Sequence, residues 1–164
     1  SKDVETLRRR INENCQLKED DFQQVFRIDC ALDPACVNLK LAKCLHKLEP
    51  SGKGNETPLF AAKNLRLTKL CLLGKNGKTL RWHFLSPGGI PCEAIDFHSR
   101  ESLETYIKEA YGAASWENLL CGAPQRNMDI RLDILYSVSC SCYMGRESAK
   151  IEIVSFRPSE GCSS

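Results

Sequence analysis

Hydrophobic positions along the chain follow two regimes: helical spacing up to about residue 50, and mostly alternation from residue 65 onward. In DVETLRRRINEN, residues 3–14, Val4, Leu7 and Ile11 form one stripe behind a candidate cap at Asp3. Residues 19–29 continue in helical style, with Phe22, Val25 and Phe26 as the apolar face. Asp33-Pro34 then marks a new helix start with proline at its first position. Val37, Leu41, Cys44, Leu45 and Leu48 fall on one side of that helix, and Lys40, Lys43 and Lys47 on the other. Pro50 and the loop SGKGNETP end the helical part.

The second regime begins with LRLTKLCLLGKNGKTLRWHFL, two strand-like runs around Asn76-Gly77. That dipeptide predicts a two-residue hairpin turn, which would pair Leu73 with Leu80, Cys71 with Trp82 and Leu70 with His83. Leu80, Trp82 and Phe84 alternate against Arg81 and His83, the pattern of a half-buried strand. CEAIDF reads as a third short strand. RESLETYIKEAY reads as a helix between Ser99 and Gly112, and Ser115 as the start of one or two further turns. The clearest alternation is DIRLDILYSVSCSCY: Ile130, Leu132, Ile134, Tyr136, Val138, Cys140 and Cys142 share one face. A turn at MGRES and a partner strand AKIEIVSF follow. The expected fold class is therefore α+β in a single domain, residues 1–164. A helical part (1–50) and a loop (51–64) precede a sheet–helix–sheet part (65–164), whose antiparallel sheet has four or five strands and one main packed helix.

Composition changes this picture mainly through cysteine. With 42 % hydrophobic and 27 % charged residues, the chain can build a core without a metal or cofactor, and neither is expected. A net charge of +2 gives no strong general pull towards nucleic acid. No apolar run approaches the ~18 residues of a membrane span. The ten cysteines, at 15, 30, 36, 44, 71, 92, 121, 140, 142 and 162, contain no Cys-x2-Cys pair, which argues against structural zinc. Their even count and wide distribution point to disulfides in an oxidising compartment, with Cys15, Cys30, Cys36, Cys44, Cys71, Cys92, Cys121, Cys140, Cys142 and Cys162 as candidates. Asn55, in the sequon NET, is a glycosylation candidate that leans the same way. Cys140 and Cys142 point to the core side of their strand, as disulfide halves or as buried thiols.

Catalytic signatures are missing. The nucleophile elbow, the His-Glu-x-x-His zinc motif, the phosphate loop and the dinucleotide fingerprint do not occur. A thiol–imidazole pair such as Cys92 with His98 is what chance supplies among ten cysteines and three histidines. Glu19-Asp20-Asp21 suits a helix start, and Glu101 with Glu104 suits a solvated helix face. No enzymatic activity is expected. Basic residues give the better lead: Arg8-Arg9-Arg10, the Lys40/Lys43/Lys47 row, and GKNGKTLRWH. RWHFLSPGG followed by SRESLETYI resembles the hairpin and helix of the methyl-CpG-binding domain, which implies a sheet hairpin backed by one helix and transfers no functional residue.

The expected function is a non-catalytic macromolecule-binding domain, foremost an extracellular, secreted, disulfide-stabilised protein-interaction module whose partner is another protein, a receptor or ligand. The alternative is a nuclear or cytoplasmic nucleic-acid or chromatin-associated module with reduced cysteines. The candidate contact residues are Lys75, Asn76, Lys78, Arg81 and His83, on or beside an exposed hairpin.

Overall fold

A computed structural model of the chain describes residues 27–47, 57–122 and 128–160. The elements within them are β1 (Cys30–Ala31), a 3-10 turn (Pro34–Cys36), α1 (Leu39–His46), β2 (Phe60–Leu73), β3 (Thr79–Leu85), β4 (Pro91–Asp96), α2 (Arg100–Tyr111), α3 (Ala113–Cys121), β5 (Arg131–Tyr143) and β6 (Arg146–Pro158). The strands lie in the order β1-β2-β3-β4-β6-β5, and β2 also pairs with β5. Five strands, β2 to β6, thus form a closed barrel in which every pairing is antiparallel except β4 with β6. That parallel seam is two residue pairs long, Ile95 with Glu152 and Asp96 with Ile153.

This architecture corrects the expected one. Strand predominates over helix among the described residues, and the sheet closes on itself instead of lying open against one helix. The helices expected over 3–14 and most of 19–29 lie outside the described residues, but 27–29 are not helical. The helix expected from Pro34 is two pieces. Asp33 Oδ1 accepts from the Ala35 N–H at 2.9 Å and starts the 3-10 turn; Asn38 Oδ1 then accepts from the Leu41 N–H at 2.9 Å and starts α1. A second cap four residues after a proline reads as helix interior in sequence. The hairpin and helix that resemble the methyl-CpG-binding domain are parts of the barrel and of the α2–α3 pair.

β2 is the longest strand and reaches both of its neighbours by bending. Its register slips between Ala62 and Leu65 against β5, and between Leu67 and Lys69 against β3. Asn64, at φ 59°, takes up the first slip. The barrel interior is filled by Leu65, Leu67 and Leu70 from β2, Leu80, Trp82 and Phe84 from β3, Ile130 with Leu132, Ile134 and Tyr136 of β5, and Ile151 and Ile153 of β6. The two helices between β4 and β5 add Leu103, Ile107, Trp116 and Leu119 to the same core. α2 begins without a side-chain bond from Ser99. Buried Asp96 does that work instead, its Oδ1 accepting from the N–H groups of His98 (3.0 Å) and Ser99 (2.9 Å). Tyr136 donates its hydroxyl to the Leu32 carbonyl at 2.8 Å, tying the N-terminal segment to β5. Burial, then the Asp33 carboxylate, raise that phenol well above its ordinary value.

The eight cysteines among the described residues, Cys30, Cys36, Cys44, Cys71, Cys92, Cys121, Cys140 and Cys142, are all free. Their even count reflects composition and not pairing. Cys15, Cys162 and the Asn55 sequon lie outside the described residues. Cys140 packs on the edge of the core, but Cys142 is exposed, because β5 continues past the barrel into the β5–β6 hairpin. No helix among the described residues is long and apolar enough to cross a membrane.

Candidate nucleic-acid interface

Two hairpins and a groove share one side of the barrel. The β2–β3 connection is a five-residue loop, Gly74–Lys78, because Leu73 pairs with Thr79. Gly74 (φ 80°) and Gly77 (φ 56°) supply the left-handed residues, and the Gly77 N–H donates to the Gly74 carbonyl at 3.2 Å. A two-residue turn would have placed Trp82 opposite Cys71. The observed register pairs Trp82 with Leu70 instead, both fully buried. Burial of the largest side chain outweighs the local turn preference, since one residue of slip turns every side chain over. The Arg100 guanidinium, at the start of α2, donates to the Gly77 carbonyl and anchors the loop.

Lys75, Asn76 and Lys78 sit in this loop, and Arg81 and His83 follow on the outer face of β3. Neither lysine nor Arg81 makes an ion pair among the described residues. The His83 imidazole faces a carboxylate instead: its Nδ1 lies 3.2 Å from Glu93 Oε1 on β4. Next to Arg81, a groove of about 330 Å³ runs between β4 and the β5–β6 hairpin, lined by Arg81, Glu93, Ile95, Ser141, Ser148 and Lys150. It exists because β4 and β6 pair over only two positions and then diverge. Lys150 Nζ lies 4.9 Å from the centre of the Phe97 ring and 2.9 Å from Glu152.

At the end of that hairpin, Met144 (φ 49°) and Gly145 (φ 75°) make a two-residue turn with both residues left-handed. The turn lifts Tyr143 and Met144 into solvent, 74 % and 87 % exposed. In sequence Tyr143 reads as the end of the strand and Met144 as the start of a turn, and neither is expected as a contact. An aromatic beside a Met-Gly turn, in a strand that outruns its core pattern, was the available signal. Of the other basic leads, the triple arginine lies outside the described residues, and Lys43 is paired with Glu147, whose hydrogen bond and charge raise its ammonium above its ordinary value.

A larger cavity, about 480 Å³, lies at the β2–β5 junction among Lys63, Asn64, Arg131, Asp133, Arg157 and Ser159. Its charges mostly satisfy one another. Asp133 accepts from the Asn64 N–H (3.0 Å), the Ser159 hydroxyl (2.6 Å) and Arg157 Nε (3.2 Å). Arg131 bonds to Asn64 and Asp129. The network fixes the bend at Asn64. Burial pushes the Asp133 carboxyl up, but these hydrogen bonds and Arg157 outweigh it and hold the group below its ordinary value of 3.8. A depressed folded-state value adds stability above the unfolded value, and that contribution disappears as pH falls through the folded one. Asp133→Asn is therefore expected to cost about 1–3 kcal/mol at neutral pH. The gap to the parent chain should close below about pH 4 in urea titrations across pH; a gap independent of pH would separate Asp133's charge from stability.

The family profile of the RecJ OB domain matches residues 28–155. The chain belongs to that family. Among solved structures, this RecJ OB domain is similar to RecJ from Thermus thermophilus, determined in complex with Mg2+, at 19 % identity and a TM-score of 0.45. The similarity covers 81 % of this chain and 16 % of that protein, so the chain spans about a sixth of its length. No curated protein matches. Family membership and the free thiols together overturn the secreted, disulfide-bonded glycoprotein expected from cysteine count, and with it the extracellular location. They favour the nucleic-acid alternative over a receptor or ligand.

Proposed function

We propose that this RecJ OB domain binds single-stranded nucleic acid across the outer face of β3 and β4, between the Gly74–Lys78 loop and the Tyr143–Arg146 hairpin. In OB-folds the second and third barrel strands, with the loops joining strands one to two and four to five, form the oligonucleotide surface. In this barrel those are β3, β4 and the two hairpins described above. The observation that carries the reading is that Lys75, Lys78 and Arg81, without ion pairs among the described residues, and exposed Tyr143 all fall on these elements. The cations meet phosphates, and Tyr143 offers a ring on which an unpaired base can stack. Single strands are preferred, since stacking needs bases free of a duplex.

The test is fluorescence anisotropy of a labelled single-stranded oligonucleotide of roughly 12 nucleotides, within the usual footprint of one OB-fold, titrated at several salt concentrations. Binding that weakens steeply with salt is expected, and no binding at low salt would sink the reading. Tyr143→Ala is expected to weaken binding by about 1–3 kcal/mol without moving the salt slope, because it removes stacking and no charge. An unchanged affinity in that variant would take Tyr143 out of the interface.

A further inference from the structure

Three neighbouring strands bring a thiol, an imidazole and a carboxylate into line on the outside of the barrel. Cys71 Sγ on β2 lies 3.6 Å from His83 Nε2 on β3, and His83 Nδ1 lies 3.2 Å from Glu93 Oε1 on β4. The register explains the alignment: Glu93 stands directly opposite His83, and Cys71 is one outward position along β2 from Lys69, which is opposite His83. One tautomer satisfies both contacts. The Nδ1–H donates to the Glu93 carboxylate, which leaves the Nε2 lone pair facing the thiol. Nucleophile, base and orienting acid in that order form the arrangement that activates a thiol. Arg81 stands directly opposite Cys71 and makes no ion pair among the described residues, a cation beside the path of an incoming anionic disulfide. The group is reachable: Cys71 is half-buried, and the His83 and Glu93 side chains are 27 % and 61 % exposed.

The other described cysteines lack this setting. Cys92, which lies six residues from His98 in sequence, packs against the core, and burial pushes its thiol up. Its sulfur donates to the Ile90 carbonyl instead. The Cys30 thiol likewise donates to a backbone carbonyl, that of Ala31, at 3.2 Å.

We propose that Cys71 is the reactive thiol of this domain, activated by His83 and oriented through Glu93, and that it exchanges with small disulfides, anionic ones above all. His83 Nε2 takes the thiol proton as Cys71 Sγ attacks one sulfur of the small disulfide. The old S–S bond breaks, the Cys71 mixed disulfide forms, and the second sulfur departs as a thiolate; the proton on His83 passes to that thiolate when it is basic, and to water when, as with an aromatic thiolate, it is not. One disulfide and one thiol enter, and one disulfide and one thiol leave. Cys71 is the nucleophile and His83 its base, whereas Glu93 is a positioning residue. None of this depends on nucleic-acid binding.

The test uses the full reduced chain with dithiobis(nitrobenzoate), an anionic aromatic disulfide, without oligonucleotide. Release of the coloured thiolate gives the rates, and peptide mass mapping of quenched samples assigns each phase to a cysteine. Cys71 is expected to react first, ahead of the more exposed Cys30, Cys36, Cys44, Cys121 and Cys142. His83→Gln should slow that phase at least about tenfold and leave the other thiols unchanged. Glu93→Gln should slow it less, and Glu93→Asp should restore it. Mapping the parent chain alone already decides the matter if a variant fails to fold: Cys71 labelling no faster than the exposed thiols overturns the proposal. So does a Cys71 rate indifferent to His83→Gln.

Discussion

Replacing Lys75, Lys78 and Arg81 together by alanine is expected to weaken single-strand binding about 100-fold near 0.1 M salt, and to lower the salt slope by about 2. Each phosphate neutralised on a single strand contributes ~0.7 to that slope, so three lost contacts predict both figures from one cause. The three cations have no ion-pair partner among the described residues, so their removal leaves no orphaned carboxylate behind. Two of them sit in a loop whose shape is set by Gly74, Gly77 and the Arg100 bond to Gly77, and none of these is touched. The fold should therefore survive, which a thermal melt checks. An unchanged slope would remove this hairpin from the interface, whatever happens to affinity.

Trp82→Ala is expected to cost about 3–5 kcal/mol of stability, read as a lower urea midpoint at similar slope. Trp82 is 1 % exposed, pairs with Leu70, and meets the Phe156 ring edge-on at 5.7 Å. It underlies the β3 segment that presents Arg81 and His83, so its loss leaves a void directly beneath the proposed interface. Its indole Nε1 has no hydrogen-bond partner among the described residues. Trp82→Phe is therefore expected to cost far less than the alanine variant, because it keeps much of the ring and releases an unsatisfied donor. If both variants lost equal stability, the ring packing would not be the source.

Much of the strand content was legible in sequence, because alternation reports directly which side chains are buried. Leu80, Trp82 and Phe84, and the run from Ile130 to Val138, are interior as their pattern requires. Closure was not legible. A period of two says that one face is covered, but not whether a helix or the far side of the same sheet covers it. The devices that curl this sheet, Asn64 at positive φ and the slip between Leu67 and Lys69, carry no sequence mark. The hairpin register failed for a related reason. Asn76-Gly77 signals a tight turn locally, whereas the packing of Trp82 against Leu70 is decided across the barrel. Lys75, Asn76, Lys78, Arg81 and His83 were named because they neighbour one another along the chain. Phe97, Tyr143 and Lys150 were not, because they approach that surface only after β6 has come between β4 and β5.

The order of strands also governs what a ribosome-bound chain exposes. β6 is the last barrel strand to be synthesised, and it is the one that bridges β4 and β5. A nascent chain that ends before Arg146 holds, at most, an open sheet in the order β5-β2-β3-β4, with both outer edges unpaired. β2 and β5 must also find each other across a long intervening stretch, as the bond between Asn64 and Asp133 does over 69 residues. Local helices α2 and α3 form in that interval and cover part of the apolar surface. Until the final strand arrives, the edges of β4 and β5 are open to any other extended chain, and synthesis speed through the last strand sets how long that exposure lasts.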